Sequence, residues 1–320
     1  RAEIARTYAC AQQQRVLNDI SLHFYAALAM QRKVVIKERL LANGEDNVQT
    51  TKERLNLGQA NQAEMLRAEV DVQRDFLELT SAERDHVKAW RDLVSVAGVP
   101  TMRPAPLQGD LSDVATLDWD GVLSRLLAES PELMAARQQV VTDEIAVQRE
   151  IVEPIPNLLV GADVGYNFET NDTVAGMSVG LPLPIFNRNR GTIGQASADL
   201  MQARAEVCRL ELELTKRLAA QFRQYDTARV RVERYRKVML PKSRTAYDLL
   251  VKAYNQRRGT WMDVLAAQRA LLEIEASLVD ESLSLAHAQV MLEGLLLENG
   301  LTRPPAPMDG GHIDATPNPR

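Results

Sequence analysis

No run of 18 consecutive apolar residues occurs anywhere in the 320-residue sequence, so no transmembrane helix is encoded. That excludes a helical membrane pump. It leaves a β-barrel open, because alternating strands give a far weaker hydropathy signal. Glycine (16) and aromatic residues (5%) are also scarce. A compact enzyme of this length usually carries more of both, whereas long heptad-packed helices rich in Ala, Leu, Glu, Arg and Gln need neither. There is no basic excess: 38 Lys and Arg face 43 Asp and Glu, for a net charge of −5, which offers nucleic acid nothing to follow. The charges are interspersed with apolar residues, as on solvated helix faces. Cysteine is limited to Cys10 and Cys208, both inside helical pattern and expected as small buried hydrophobes; their spacing supports no disulfide. Gly-rich phosphate loops, paired metal-ligand spacings and a nucleophile elbow are missing as well. No enzyme, cofactor or metal centre is therefore expected. The chain opens at Arg1 already in helical pattern, without a Met or a signal sequence, so an upstream part is expected.

What is present is an internal repeat. A heptad core runs Met65, Val72, Leu79, His86, Leu93, and 199 positions later becomes Val264, Leu271, Leu278, Leu285, Leu292. Leu66 falls on Leu265, Glu64 on Asp263, Ala68 on Ala267 and Ala89 on Ala288. Upstream, a break in LLANG near Asn43 falls beside MLPKS at Pro241, and Leu55 falls on Tyr254, each in a polar turn before a glycine (Gly58 and Gly259). Two copies of one long helical hairpin explain this. The first occupies residues 1–98, with helix to about Asn56, a turn at Gly58 and a return from about Ala60 to Ala97. Pro100, Pro104 and Pro106 block helix in a linker over 99–117. Helix resumes over 118–153, with Ser130-Pro131-Glu132 as an internal start signal. The second hairpin, 188–300, has a helix from about Arg188 to Gln256, roughly 100 Å at 1.5 Å per residue, and a return from about Trp261 to Asn299. Leu218, Tyr225, Val232 and Met239 mark its coiled-coil seam. A Pro-rich tail over 301–320 is expected to be disordered. The periodicity alone fits an isolated antiparallel coiled coil as well as a tunnel.

Residues 156–186 separate these readings. Leu158, Val160, Ala162, Val164, Tyr166 and Phe168 alternate with small or polar residues. After a turn at Thr170-Asn171-Asp172, Met177, Val179, Leu181, Leu183 and Ile185 do the same. Period-two patterning over about ten residues per strand fits a membrane barrel hairpin. A soluble hairpin on a core shows the same pattern, but here only very long helices flank it. Two strands cannot close a barrel, so partners must come from an upstream repeat and from other protomers. Val160, Val164, Val179 and Leu183 are expected to face lipid, and Asp163 the lumen.

The segment GLPLPIFNRNRGTIGQASADL (Gly180–Leu200) resembles the strand-to-helix signature of the TolC family of outer-membrane efflux proteins, particularly its cation-efflux, CzcC-like branch. ESPELMAARQQV (Glu129–Val140) resembles the family's third helix. RLNLGQANQAEMLRAE (Arg54–Glu69) and AYNQRRGTWMDVLAAQRALLE (Ala253–Glu273) resemble its two periplasmic turns. The resemblance covers roughly residues 1–300. It implies a mainly α fold of long antiparallel hairpins forming an α-barrel tunnel, with a β-hairpin contributing to a trimeric outer-membrane β-barrel of four strands per complete protomer. It implies a homotrimer in outer-membrane lipid, working with a periplasmic adaptor (membrane fusion protein) and an inner-membrane pump.

The resemblance also assigns residues. Tyr254, Arg258 (with Arg257 as runner-up) and Asp263 match the side chains that hold the periplasmic gate closed. A second acid common after DVL is replaced by Ala266. The tips, with turn glycines Gly58 and Gly259 expected at positive φ and Leu55, Leu57 and Trp261 as apolar contacts, match adaptor-docking positions. The alternative for each is plain hairpin closure, with Tyr254 packed and the charges solvated. His86 and His287 lie at nearly one level on equivalent helices and are read as core or tunnel-facing side chains rather than a metal pair. The expected function is a passive export duct for metal cations or small molecules. Alternatives are a type I secretion duct or, in a different class, a soluble periplasmic coiled-coil scaffold or adaptor.

Overall fold

The computed structural model describes residues 2–111, 116–169, 171–181 and 189–302, with side chains from residue 5 onward. Leu183, Ile185 and the Phe186–Arg188 part of the signature fall outside the described residues, as does the tail beyond 302. The order of elements is α1 (Ala2–Asn56), α2 (Gln62–Val96), α3 (Trp119–Glu129), α4 (Pro131–Val152), β1 (Leu159–Asn167), β2 (Asp172–Gly180), α5 (Arg190–Arg234), a π-helical turn (Tyr235–Met239), α6 (Leu240–Asn255) and α7 (Trp261–Glu293). Two compact units form, one from residues 2–9 and 129–213, the other from 10–128 and 214–302.

In the larger unit the core is built along α1 and α7. Leu28, Ala29, Ile36 and Leu40 pack with Leu272, Val279 and Ala286, and the linker adds Leu107 and Leu111. The linker is held without regular structure: Gln31 donates to the Leu107 carbonyl (3.2 Å) and accepts from its N–H (2.9 Å), so the polar backbone is satisfied where helix is blocked. Tyr225 is wholly buried and its hydroxyl accepts from the Leu117 N–H at 3.0 Å.

Four expectations are corrected. First, α1 has no break at LLANG: it runs unbroken through Asn43 and Gly44. A Cβ at Gly44 would lie 3.0 Å from Asp75 Oδ2 and 3.2 Å from Val72 Cγ2, so this glycine serves close approach of α2. Second, the long second-copy helix is interrupted by its π turn immediately before Pro241. Proline lacks an N–H and crowds the carbonyl four residues back, and a widened turn relieves both. The insertion shifts the seam: Leu218, Tyr225 and Val232 are buried, but Met239 is 40% exposed. Third, α7 stops at Glu293 rather than near Asn299, because Leu295 and Leu296 take left-handed backbone (φ 58° and 57°). Asn18 Nδ2 donates to the carbonyls of Gly294 (2.8 Å) and Leu297 (2.7 Å), and Asp19 accepts from the N–H groups of Asn299 (3.1 Å) and Gly300 (2.6 Å). Those bonds hold the unusual conformation. Fourth, Cys10 and Cys208 are both exposed and free. Ala11 takes the buried position beside Cys10, while Cys208 shares an outward stripe of α5 with Met201 and Leu212.

In the smaller unit β1 and β2 pair antiparallel, with Val160 opposite Val179, Ala162 opposite Met177 and Val164 opposite Ala175. Glu169 N–H donates to Asn167 Oδ1 (3.0 Å), Tyr166 Oη donates to Asn171 Oδ1 (2.6 Å), and Asn171 adopts φ 59°, which closes the hairpin. Asn189, also left-handed at φ 56°, donates to the carbonyl (3.0 Å) and Oε2 (2.8 Å) of Glu150, tying the start of α5 to the end of α4. Ser130 precedes α4 as expected, yet its side chain makes no capping bond.

Candidate functional site

The two hairpin tips share one geometry. At the first, Gly58 N–H donates to Leu55 O (3.0 Å) and Gln59 N–H to Arg54 O (2.7 Å). At the second, Arg257 N–H donates to Tyr254 O (2.8 Å) and Arg258 N–H to Ala253 O (2.9 Å). Both are the paired bonds of a Schellman helix end, whose pivot residue is left-handed. That pivot is Gly58 (φ 70°) in one copy and Arg257 (φ 58°) in the other. Gly259 is therefore not the positive-φ residue expected of it; its position permits contact with Ala253 and Tyr254, where an added Cβ would sit 3.4 Å from both. The 199-residue offset is obeyed by geometry, since Gly58 corresponds to Arg257 and Asn61 to Thr260. Asn61 Oδ1 accepts from the Glu64 N–H (2.9 Å) and Thr260 Oγ from the Asp263 N–H (3.2 Å).

Around the second tip, Asp263 closes a capping box: its Oδ2 accepts from Thr260 Oγ (2.7 Å) and the Thr260 N–H (3.3 Å). Tyr254 stacks at a tilt on Trp261, ring centroids 5.2 Å apart. Trp261 Nε1 donates to Asn47 Oδ1 on α1 (3.0 Å), so this indole is half-buried and joins the two hairpins. Arg257 and Arg258 are exposed, and their side chains make no hydrogen bond or ion pair among the described residues. The fold thus gathers Tyr254, Arg258 and Asp263 at one tip without bonding them to each other. At the first tip Leu55 is half-buried and Leu57 is 72% exposed.

Just above the tips lies a feature that sequence reasoning missed. Asp75, with a side chain 1% exposed, accepts from Arg269 Nη2 through both oxygens (2.9 and 2.8 Å). Burial pushes the Asp75 carboxyl up, and Arg269 offsets only part of that. The pair borders a cavity of about 190 Å³ between α1, α2 and α7, lined also by Asn43, Gly44, Asp71 and Met262. A signal existed: Ala68, Asp75, Ala82 and Ala89 form the second heptad position beside Met65, Val72 and Leu79, and a carboxylate there is out of pattern. His287 Nε2 donates to Leu22 O (3.0 Å), and burial pushes its pKa down. Among the described residues no group of three or more His, Cys, Asp or Glu could hold a metal ion, and no helix is long and apolar enough to cross a membrane.

Among the described residues nothing covers either face of the strand pair. Val160 (61%), Val164 (78%), Met177 (78%) and Val179 (64%) share one side and all stand exposed. The other side carries Leu159, Gly161, Asp163, Gly165 and Asn167 against Gly180, Ser178, Gly176, Val174 and Asp172.

Comparison with known proteins agrees with this architecture. The profile of a family described as "Outer membrane efflux protein" matches residues 122–296. The chain is 25% identical over 276 residues to the cobalt-zinc-cadmium resistance protein CzcC of Cupriavidus metallidurans, covering 85% of this chain and 66% of that one. Among solved structures, a membrane protein from Pseudomonas aeruginosa aligns at TM-score 0.75 and 20% identity, over 92% of this chain and 70% of that one. The channel CusC aligns at TM-score 0.73 and 14% identity, over 93% and 73%. The chain spans between 59% and 66% of the length of the curated relatives it matches.

Proposed function

The chain belongs to the outer membrane efflux protein family, and from that premise we propose that it is the outer-membrane channel of a tripartite efflux system. It works as a passive duct, not an enzyme, and carries metal cations or small molecules out of the periplasm. The observation that carries this reading is the strand pair. A hairpin of two nine-residue strands with Val160, Val164, Met177 and Val179 bare on one side exposes too much apolar surface to water to stand alone. Lipid on that side, and further strands at both edges, remove the cost.

Three protomers, each with four strands in the complete protein, close one barrel, and the helical hairpins line a periplasmic tunnel. Val160, Val164 and Val179 face lipid. The tips meet a periplasmic adaptor through Leu55, Leu57, Gly58, Gly259 and Trp261, and through it an inner-membrane pump. Tyr254, Arg258 and Asp263 form the gate. Its support is that neither tip arginine has a side-chain partner among the described residues, while Asp263, bonded to Thr260, stays exposed, which leaves them open to a neighbouring copy.

Fractionation tests the reading. The full-length natural protein should be recovered from the outer membrane as a detergent-soluble trimer; a soluble periplasmic monomer would defeat it.

A further inference from the structure

We propose that Asp163 makes the barrel itself selective for cations. This rests on the duct reading above but concerns the strand pair rather than the tip residues Tyr254, Arg258 and Asp263. Strand register puts Asp163 at the middle of β1, on the side away from Val160, Val164, Met177 and Val179. Four of the ten residues on that side are glycine: Gly161, Gly165, Gly176 and Gly180. This hairpin's share of the lumen wall is thus largely bare backbone, and β1 and β2 carry no Lys or Arg to neutralise a carboxylate. The other acid of this side, Asp172, is the first residue of β2, at the hairpin end.

Gly176 gives the carboxylate its place. A Cβ there would lie 2.7 Å from Asp163 Oδ2 and 2.9 Å from Oδ1. The side chain therefore lies across the neighbouring strand over a position where any other residue would crowd it. Glycine inside a strand is unfavourable, and here the vacated space is filled by the charge.

The geometry sets the size of the effect. Twelve strands about 4.8 Å apart, tilted about 40°, close at a radius of about 12 Å. Three inward carboxylates then lie about 9 Å from the axis, within one Debye length at 0.1 M salt, about 10 Å. Screened attraction from three such charges enriches a monovalent cation on the axis about 2- to 3-fold and depletes an anion by the same factor. At 1 M, with a Debye length of about 3 Å, the effect falls to about 1.1-fold.

The test is reversal-potential measurement on the full-length trimer in planar bilayers under a KCl gradient. The parent should prefer K⁺ over Cl⁻ several-fold near 0.1 M and lose that preference near 1 M. Asp163→Asn should bring the low-salt ratio close to unity with conductance little changed, and Asp163→Glu should keep it. Gly176→Ala, which displaces the carboxylate without removing charge, should lower it partway. A parent with no cation preference at low salt would overturn the inference whatever the variants do. So would a preference that survives Asp163→Asn but disappears in Asp263→Asn, which would locate selectivity at the tips. A parent that forms no channel would overturn the duct reading itself, and this inference with it.

Discussion

Replacing Arg269 by Met should loosen the first hairpin more than any exposed ion-pair mutation in the chain. The reason is the asymmetry of burial between its partners: the Asp75 side chain is 1% exposed and that of Arg269 34%. Removing the arginine strands a buried carboxylate whose two oxygens both rely on Nη2, at a cost of about 3–5 kcal/mol. Replacing both residues, as Asp75→Leu with Arg269→Met, leaves no orphan charge. The adjoining cavity of about 190 Å³ gives the leucine room, so the double variant should return close to the parent. Hydrogen exchange of the full-length trimer in detergent reads this locally, in peptides covering residues 65–85. If those amides exchange through local opening, 3–5 kcal/mol is a loss of protection of about two to more than three orders of magnitude. The pH dependence has a definite sign. The folded-state carboxyl of Asp75 is already raised and rises further without Arg269. A raised carboxyl favours the folded form at low pH and loses that advantage as pH climbs through it. The Arg269→Met defect should therefore be larger at pH 7.5 than at pH 5. Unchanged protection in the single variant, or a double variant as loose as the single, would show that the pair carries no such energy.

Arg257→Gly should stabilise the second tip by about 0.5–1 kcal/mol by relieving its left-handed backbone, and Gly58→Arg should cost a similar amount at the first; hydrogen exchange of each turn reads both. Val179→Arg should cost about 2–4 kcal/mol and depress trimer yield, while Asp163→Arg on the other side is tolerated; equal yields would mean that the inside–outside phase is wrong. Tyr254→Phe with Arg258→Ser should raise single-channel conductance without unfolding, and high salt should reproduce part of the rise, since exposed ion pairs are screened. Burial holds the His287 pKa below its ordinary value, so protection of α7 around it should fall as pH drops through about 6.5, the unfolded value; His287→Gln should remove that dependence.

The hairpins and the strand pair were legible because their signals are periodic. Seven-residue spacing and strict alternation survive over dozens of residues, and local exceptions barely dent them. The misses share a different cause: each depends on one residue's local context. Gly44 and Gly259 were read as breakers or turn formers, but a glycine can equally mark a close approach, and only neighbours in space decide which. Arg257 could not be identified as the pivot, because composition favours glycine there and the helix end tolerates an arginine at modest cost. The π turn before Pro241 follows from proline chemistry, yet sequence alone did not show whether the helix would bend, break or widen. Asp75 was the most readable of these, an acid in a core heptad position. The strongest apolar series, at Val72 and Leu79, drew attention three and four residues away.

The duplication makes the first hairpin a control for the second. Both copies end in the same paired bonds and restart on a side-chain cap at equivalent positions, so the fold demands nothing special of either sequence there. The first copy meets the geometry in the least strained way, with Gly58 at the left-handed pivot and α1 unbroken. The second meets it with Arg257 at the pivot, a π turn upstream and an aromatic pair, Tyr254 and Trp261, against the first copy. Hairpin closure alone explains the first set, and Pro241 accounts for the π turn of the second, but neither gives a reason for Arg257 at the pivot or for the aromatic pair. An arginine held at a pivot that prefers glycine, exposed and without a side-chain partner among the described residues, is understandable if its partner lies outside. A widened turn upstream supplies a place where the helix can flex while the tip stays folded. The departures therefore concentrate in the copy to which the gate was assigned, and that concentration, more than any single side chain, supports the assignment.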